Sequence, residues 1–329
     1  MTPLFYIKKL WSMVKTVEQN TDYSRWEILF DYGMAFLRCG AAIDEYRICR
    51  LFDDSAHIQA KHFLSGHRLI RAADRLCKNA SQEELDSFGK KDRFNAVFSD
   101  YVHRDWIYAG DSTREQLRGF IARNEVFLSK ETGSTQGKNI QLWQRGEFDA
   151  ERFLDEFTGK TFVLESYIRQ HPAMSSLNPT SVNTVRLLTV VYKGQAAVIG
   201  GCLRTGGIKA YVDNFHSGGI AFPVDLERGI VIGQGRDFEG ALYTIHPATG
   251  AFVPGFSIPH WEKVLAAVLD GASRLSHVGC VGWDVAVTEE GVEFIEGNVN
   301  YPDHTLIQIG RNDAWKRIRD FMAQCEISE

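Results

Sequence analysis

Two side chains near the end of the chain could hold a metal ion together. Glu296 and Asn298 lie two positions apart and directly follow the apolar, strand-like run Val292–Ile295. Alternate residues of an extended strand point to the same face, so both side chains would offer oxygen atoms to one point. Such oxygens, completed by substrate phosphates, suit Mg²⁺. The spacing therefore predicts a Mg²⁺ site, and the alternative is an ordinary charged surface hairpin.

A further acidic residue belongs to the same predicted hairpin. Asp284 lies in the apolar, strand-like stretch 282–287, and the segment 289–291 (Glu-Glu-Gly) predicts a turn before the next strand. If the two strands pair side by side, Asp284 comes next to Glu296 and Asn298. The three side chains would then form one acidic and amide cluster.

A lysine and a small, flexible loop form a second candidate site. Lys130 ends a hydrophobic strand-like run, and the following loop contains Gly133, Ser134, Gly137 and Lys138. Glycines let the backbone approach a ligand closely, and successive amide groups can bind phosphate oxygens. The loop lacks the residue order of a P-loop. It predicts either a phosphate-binding loop or a simple hairpin turn.

Taken in chain order, these motifs resemble the ATP-grasp superfamily. The lysine and its loop are followed by the strand-like run Thr161–Ile168 with an acid near its end, by arginine-bearing strands, and by the Asp…Glu-x-Asn set. The resemblance covers roughly residues 85–310. Within it, Ser181–Thr189 and Asn214–Gly219 are most similar to the group associated with sugar-transfer and cell-surface polysaccharide genes. The resemblance implies an α+β fold that holds a nucleotide between two α+β lobes.

The resemblance implies a nucleotide site on particular residues. Lys130 matches the lysine that holds ATP phosphates, and Lys91 resembles an earlier nucleotide lysine, although the usual Asp-Lys pair reads Lys-Lys here. Glu165 matches the hinge acid beside adenine and ribose. The residues assigned to the nucleotide are Lys91, Lys130, Gly133, Ser134, Gly137, Glu165, Tyr167 and Ile168.

The resemblance also implies metal ligands and catalytic residues. The Mg²⁺ ligands are Asp284, Glu296 and Asn298, and the expected cofactors are ATP and two Mg²⁺ ions. Arg204 matches the arginine that faces the transferred phosphate or an acyl-phosphate, and Arg186 is a second candidate, for a substrate carboxylate. His216 could act as a general base for an incoming amine, or it could only form hydrogen bonds within its loop.

Three functions are compatible with this set of residues. The usual chemistry of the superfamily favours a ligase that phosphorylates a carboxylate with ATP and passes the acyl group to an amine, with a sugar derivative among the expected substrates. A kinase that phosphorylates a hydroxyl is the alternative, and a nucleotide-binding protein without turnover is a third. The candidate lysine, arginines and acids argue against the third.

Whole-chain composition is typical of a soluble enzyme. The 329 residues include 44% hydrophobic and 24% charged residues, and the net charge of −5 disfavours a nucleic-acid partner. The six cysteines are scattered without a C-x-x-C pair, which favours a reduced, cytoplasmic protein. No apolar run is long enough for a transmembrane helix, and the first residues lack the features of a signal peptide. The oligomeric state stays open.

The elements that must position these residues fall into three regions. Residues 1–85 read as helical, residues 86–310 as the ATP-grasp core, and residues 311–329 as a helix packed on that core. The segment Ser112–Glu115 predicts a capping box that begins a helix before the Lys130 strand.

The first region contains two amphipathic patterns. One is a set of apolar residues at near-helical spacing that we expect to pack against the core, namely Trp26, Phe30, Met34, Phe36 and Leu37. The other is the first helix, where Lys8, Lys9 and Lys15 accompany Leu10, Trp11 and Met13. That helix is expected to pack on the protein, and the alternative is peripheral contact with a membrane surface.

Overall fold

A computed structural model of the chain describes residues 2–53, 60–133, 139–208, 213–299, 302–310 and 313–325. Two antiparallel sheets form its framework, and helices pack around them. The helices are α1 (Pro3–Glu18), α2 (Arg25–Cys39), α3 (Ile43–Ile48), α4 (Gly66–Leu76), α5 (Gln82–Gly89), α6 (Lys91–Val97), α7 (Arg114–Arg123), α8 (Ala150–Phe157), α9 (Pro172–Leu177), α10 (Trp261–Arg274) and α11 (Ala314–Gln324). Among the described helices, none has the length and apolarity needed to span a bilayer.

The smaller sheet has the strand order β1-β4-β2-β3. Its strands are β1 (Trp106–Tyr108), β2 (Val126–Glu131), β3 (Ile140–Gln144) and β4 (Phe162–Ser166). Phe127 and Leu164 pack with α7 and α8 on one face of this sheet. Alternation along the strands therefore sends Lys130 and Glu165 to the other face. The strands β2 and β3 pair antiparallel on either side of the Gly/Ser loop, and residues 134–138 of that loop lie outside the described part of the chain.

The start of α7 corrects one expectation. The N-cap is Thr113 rather than Ser112: the Thr113 hydroxyl accepts a hydrogen bond from the amide of Gln116, and the Gln116 side chain accepts one from the Thr113 amide. The capping box therefore begins one residue later than predicted. The Ser112 hydroxyl instead donates to the Tyr108 carbonyl, because a hydroxyl that is released from the cap can close the preceding turn.

The larger sheet has the strand order β10-β9-β7-β6-β5-β11-β12, with β8 paired to β7. Its strands are β5 (Thr184–Tyr192), β6 (Gln195–Thr205), β7 (Ile220–Asp225), β8 (Ile230–Val231), β9 (Gly235–Arg236), β10 (Leu242–Tyr243), β11 (Cys280–Val287) and β12 (Val292–Asn298). The β11–β12 hairpin is the one predicted from the sequence. Its register places Asp284 opposite Glu296 on β12 and opposite Arg186 on β5.

A large aromatic and aliphatic core supports this hairpin. Helix α10 packs on the sheet through Val264 and Val268, and Trp283 is fully buried there. The short helices α5 and α6 add Phe88 and Phe94, whose rings pack against Trp283. Because these aromatic rings pack beneath the hairpin, it is part of the core and not a free surface element.

The N-terminal helices form a separate small core, and polar contacts join them to segments next to the larger sheet. Helices α1, α2 and α3 share a buried cluster, and Glu45 of α3 accepts a hydrogen bond from the Gly66 amide and lies 2.6 Å from the His304 ring. Arg47 of the same helix forms an ion pair with Glu239 at 2.6 Å. These contacts join the helical region to the segments that flank β9 and β12.

One expectation about α2 is wrong. The apolar residues Trp26, Phe30 and Leu37 were expected to face the core, but they are 81%, 71% and 76% exposed. The helix instead buries Ile28, Ala35 and Cys39. Ala35 and Cys39 are small, and small side chains let α2 approach its neighbours closely, which leaves the wide aromatic side chains outside.

Helix α11 packs against the larger sheet and α4. Its residues Ile318 and Phe321 share a buried cluster with Leu69 of α4 and Val190 of β5. The C-terminal helix therefore covers one end of the larger sheet together with α4.

Candidate active site

The two sheets meet at a buried arginine that precedes β1. The guanidinium group of Arg104 lies 3.1 Å from Glu165 on β4 and 2.7 Å from Glu293 on β12, and it also donates to the Phe294 carbonyl at 2.6 Å. All three charged side chains are at most 8% exposed. Arg104 therefore joins the expected nucleotide-binding sheet to the strand that carries the expected metal ligands.

Lys130 and Glu165 form the polar face of the smaller sheet. The Lys130 ammonium lies 2.5 Å from Glu165 Oε2, and the Asn95 amide donates to Glu165 Oε1 at 2.9 Å. The strand register explains this pair, because Glu165 lies opposite Leu128, two residues from Lys130 on the same face. The structure therefore brings these two predicted residues together.

Lys91, the first residue of α6, lies between the nucleotide and metal candidates. Its ammonium group donates to the Glu131 carbonyl at 3.1 Å, and Glu296 and Lys130 are both close enough to affect its titration. Burial lowers the pKa of Lys91, and the nearby Lys130 ammonium lowers it further. A group this close to both candidate subsites could bind an anion that spans them.

Two arginines converge on Asp284 in the larger sheet. Arg186 forms a bidentate contact with the Asp284 carboxylate, with Nε 2.5 Å from Oδ1 and Nη2 2.7 Å from Oδ2. Arg204 Nη1 lies 2.9 Å from the same Oδ1. All three residues are buried. They come from the adjacent strands β11, β5 and β6, so the sheet itself holds them in place.

Two aspartates that sequence reasoning missed complete this cluster. Asp213 pairs with Arg204 at 3.0 Å and accepts a hydrogen bond from the Thr184 hydroxyl, while Asp303 pairs with Arg186 at 3.0 Å. The signal available in the sequence was modest: Asp213 immediately precedes the Asn214–Gly219 segment, and Asp303 closely follows the Glu-x-Asn motif.

Glu296 and Asn298 share one face of β12, as their spacing predicts. The Asn298 amide donates to Glu296 Oε1 at 3.1 Å, and Glu296 lies opposite Asp284 in the strand register. Between them, Gly297 faces the core, where a Cβ atom would come within 2.6 Å of the Phe88 ring. Packing therefore requires glycine at the centre of this motif.

This donor set fits Mg²⁺ that is shared with a phosphate ligand. Within the described residues, no group of three or more His, Cys, Asp or Glu side chains could hold a metal ion alone. Mg²⁺ is normally held by one or two carboxylates plus substrate phosphates, and not by an all-protein cage. Glu296, Asn298 and Asp284 are the residues that would hold it.

The buried carboxylates titrate in opposite directions. Burial alone would raise the pKa of Glu165, but the charges of Arg104 and Lys130 bring that pKa far below its usual range. Burial likewise opposes ionisation of Asp284, and its two arginine partners bring the net pKa below the usual range. Burial raises the pKa of Asp213, and the nearby Asp284 charge raises it further.

Other predicted site residues lie apart from these contacts. His216 is exposed, and its ring packs against Phe238. Tyr167 and Ile168 are half-buried after β4, where the Tyr167 amide donates to the Val126 carbonyl. Gly133 is exposed with φ +80°. Ser134 and Gly137, with Lys138, lie outside the described residues.

A sequence match decides the family. The model of a family described as sugar-transfer associated ATP-grasp matches residues 155–321, which is just over half of the chain. The chain belongs to this ATP-grasp family. The match includes both arginines and the Asp284–Asn298 hairpin, whereas Lys91 and Lys130 of this ATP-grasp chain precede it. No curated protein sequence matches the chain significantly.

Solved structures show similar but distant folds. One is an ADP complex of N5-carboxyaminoimidazole ribonucleotide synthetase, with 14% identity, a TM-score of 0.43, and 66% of this chain and 46% of that chain covered. Another is the ATP-grasp ligase PsnB, with 13% identity, a TM-score of 0.46 and coverage of 84% and 70%. D-alanine–D-alanine ligase from Bacillus anthracis has 11% identity, a TM-score of 0.42 and coverage of 75% and 71%. The ATP-grasp chain thus spans less than half of the first protein's length.

Proposed function

We propose that this protein is an ATP-dependent carboxylate–amine ligase that works through an acyl-phosphate. The observation that carries the proposal is the convergence of Arg186 and Arg204 on Asp284, directly beside Glu296. Guanidinium groups suit planar carboxylates and phosphates, while the carboxylate and amide of β12 suit Mg²⁺. The groups needed at a transferring phosphoryl group therefore lie side by side.

The nucleotide would bind between the two sheets. Lys130 and Lys91 supply positive charge for its phosphates, and Glu165 with Tyr167 and Ile168 forms the expected edge for adenine and ribose. We assign this core to residues 86–310, with the helical region 1–85 and the helix within 311–329 as additions. When bound, two Mg²⁺ ions would neutralise charge on the ATP phosphates.

The proposed reaction has two steps. A carboxylate oxygen of the substrate attacks the γ-phosphorus of ATP, the bond from that phosphorus to the β–γ bridging oxygen breaks, and ADP leaves. The amine then attacks the acyl carbon, the bond to the phosphate oxygen breaks, and phosphate leaves. Arg204 faces the transferring phosphoryl group, Arg186 orients the carboxylate, and His216 is our candidate for the base that accepts the amine proton.

The family description supports one substrate class. The words sugar-transfer associated support a sugar acid or amino sugar as one partner, in polysaccharide biosynthesis or a related pathway. We place the reaction in the cytoplasm, where ATP is available and the six free cysteines stay reduced.

A pooled ATPase screen tests this function. The protein, ATP and Mg²⁺ are incubated with pools of sugar acids and amino acids, and the nucleotide product is identified. We expect a carboxylic acid to stimulate ADP release, and an amine to convert the acid into an amide. Release of AMP and pyrophosphate, or ADP release driven only by a hydroxyl acceptor, would contradict the ligase assignment.

A matched pair of variants gives the screen its control. Glu296→Gln should abolish the stimulated turnover, because it removes a carboxylate from the Mg²⁺ site. Glu290→Gln changes an exposed acid at the turn of the same hairpin and should leave the rate unchanged. Equal rates for the two variants would remove Glu296 from the site.

A further inference from the structure

The outward faces of the first two helices carry an unusual amount of exposed apolar surface. Trp26 and Leu37 of α2 are 81% and 76% exposed, and Trp11 of α1 is 46% exposed. We call the whole set the N-terminal apolar surface. Its members are Leu4, Trp11, Trp26, Phe30 and Leu37. Large apolar side chains exposed in one stripe on each of two neighbouring helices are typical of a surface that binds a partner.

The exposed apolar residues of α2 extend along the helix and are not confined to one of its ends. At about 100° per residue, Trp26, Phe30 and Leu37 lie along one stripe of the helix. The buried residues Ile28 and Cys39 lie on the opposite side. The helix is therefore apolar on two faces, and only one of them packs against the described part of the chain.

Positive charge accompanies the apolar residues on α1. Leu4, Lys8, Trp11 and Lys15 follow one another at intervals of four, three and four residues, so they form a single stripe. All four side chains are exposed. Residues 2–17 contain no acidic side chain, although the whole chain has more acidic than basic residues. Basic and apolar side chains therefore alternate along the exposed face of α1.

We propose that the N-terminal apolar surface docks onto an anionic membrane surface. Aromatic rings suit the boundary between headgroups and acyl chains, and lysine stems lie along apolar surface while their ammonium groups reach lipid phosphates. A second copy fits less well. Symmetric pairing through α1 would place the Lys8 and Lys15 stripes of two copies against each other, and like charges repel.

The N-terminal helices are joined to the candidate active site by a short series of contacts. Glu45 on α3 contacts His304, and the neighbouring Asp303 pairs with Arg186 at the candidate active site. Docking would therefore hold the ATP-grasp core close to the bilayer. The proposal does not depend on the reaction that this core performs.

Vesicle sedimentation with the full-length protein tests the proposal. The probes are vesicles of phosphatidylcholine alone and vesicles that also contain phosphatidylglycerol. We expect binding to the anionic vesicles, much weaker binding to the neutral ones, and release by added salt because screening weakens the attraction. The variant Lys8→Gln/Lys15→Gln should bind about 25-fold more weakly, since each lysine near an anionic surface contributes about fivefold.

Matched variants distinguish docking through this surface from non-specific adsorption to vesicles. Trp26→Ser/Leu37→Ser should lose most vesicle binding, whereas Phe252→Ser removes a ring that is 68% exposed elsewhere and should not change it. Lys78→Gln/Lys160→Gln removes two other exposed lysines and should not change it either. Thermal melts check that each variant is folded.

Three outcomes would overturn the proposal. One is the absence of binding to anionic vesicles by the folded, wild-type protein. Another is equal binding by the Lys8/Lys15 variant and its Lys78/Lys160 control. The third is concentration-dependent self-association that Trp26→Ser/Leu37→Ser abolishes, since this would identify a second copy as the occupant.

Discussion

Arg186 and Asp284 face each other across β5 and β11 and form a buried, two-pronged ion pair, with Nε 2.5 Å from Oδ1 and Nη2 2.7 Å from Oδ2. Arg204 contacts the same carboxylate from β6. Asp284 therefore orients two guanidinium groups, and it also lies opposite Glu296 in the strand register.

The first prediction concerns this ion pair. Asp284→Asn should lower the free energy of unfolding by about 3 kcal/mol, because it removes the carboxylate that two buried guanidinium groups share and leaves each with one aspartate, Asp303 or Asp213. Urea denaturation measures the change. Asp225→Asn removes the partner of the exposed Arg228 and should cost less than about 1 kcal/mol. Similar losses in the two variants would show that the Asp284 cluster is not held by charge.

The second prediction concerns the nucleotide. ATP with Mg²⁺ should raise the melting temperature, because a ligand that binds only the folded state stabilises it by about 2.7 kcal/mol at 100 times its dissociation constant. Lys130→Ala should lose most of that shift, whereas Lys160→Ala, at an exposed position, should keep it. A full shift in folded Lys130→Ala would place the phosphates elsewhere.

The third prediction concerns pH. Arg104 and Lys130 hold the folded-state pKa of Glu165 below its value in the unfolded chain, which is about 4.3. The unfolded chain therefore binds more protons as the pH falls below that value, and the stability that Glu165 contributes above it is progressively lost. Glu165→Gln should be less stable at neutral pH and lose less stability on acidification. Unfolding free energies at several pH values measure both effects, and parallel pH curves would contradict the account.

The fourth prediction concerns the transferring phosphoryl group. Arg204→Lys keeps a positive charge but cannot reproduce the contacts with both Asp284 and Asp213. We expect kcat to fall by about 100-fold or more, with a much smaller change in ATP affinity, because charge on the phosphoryl group develops in the transition state. Arg228→Lys, at an exposed pair, is the control. Loss of ATP affinity with kcat unchanged would assign Arg204 to ground-state binding.

Local patterns in the sequence predicted part of the site. The Glu296–Asn298 spacing worked because alternate strand residues share a face, and the short turn before β12 made Asp284 a neighbour. Arg104 and Glu293 were missed, because their contact joins positions far apart in the chain and neither belongs to a local motif. Apolar spacing also predicted α2 without showing which face is buried: only packing reveals that small Ala35 lies inside and Trp26 outside.

The most direct test of the proposed chemistry is interception of the acyl-phosphate. The protein is incubated with ATP, Mg²⁺ and an acid that stimulates ADP release, with hydroxylamine in place of the amine, and the products are identified by mass spectrometry. The account predicts ADP, phosphate and the hydroxamate of the acid. A phosphorylated hydroxyl without hydroxamate, or AMP with pyrophosphate, would contradict it.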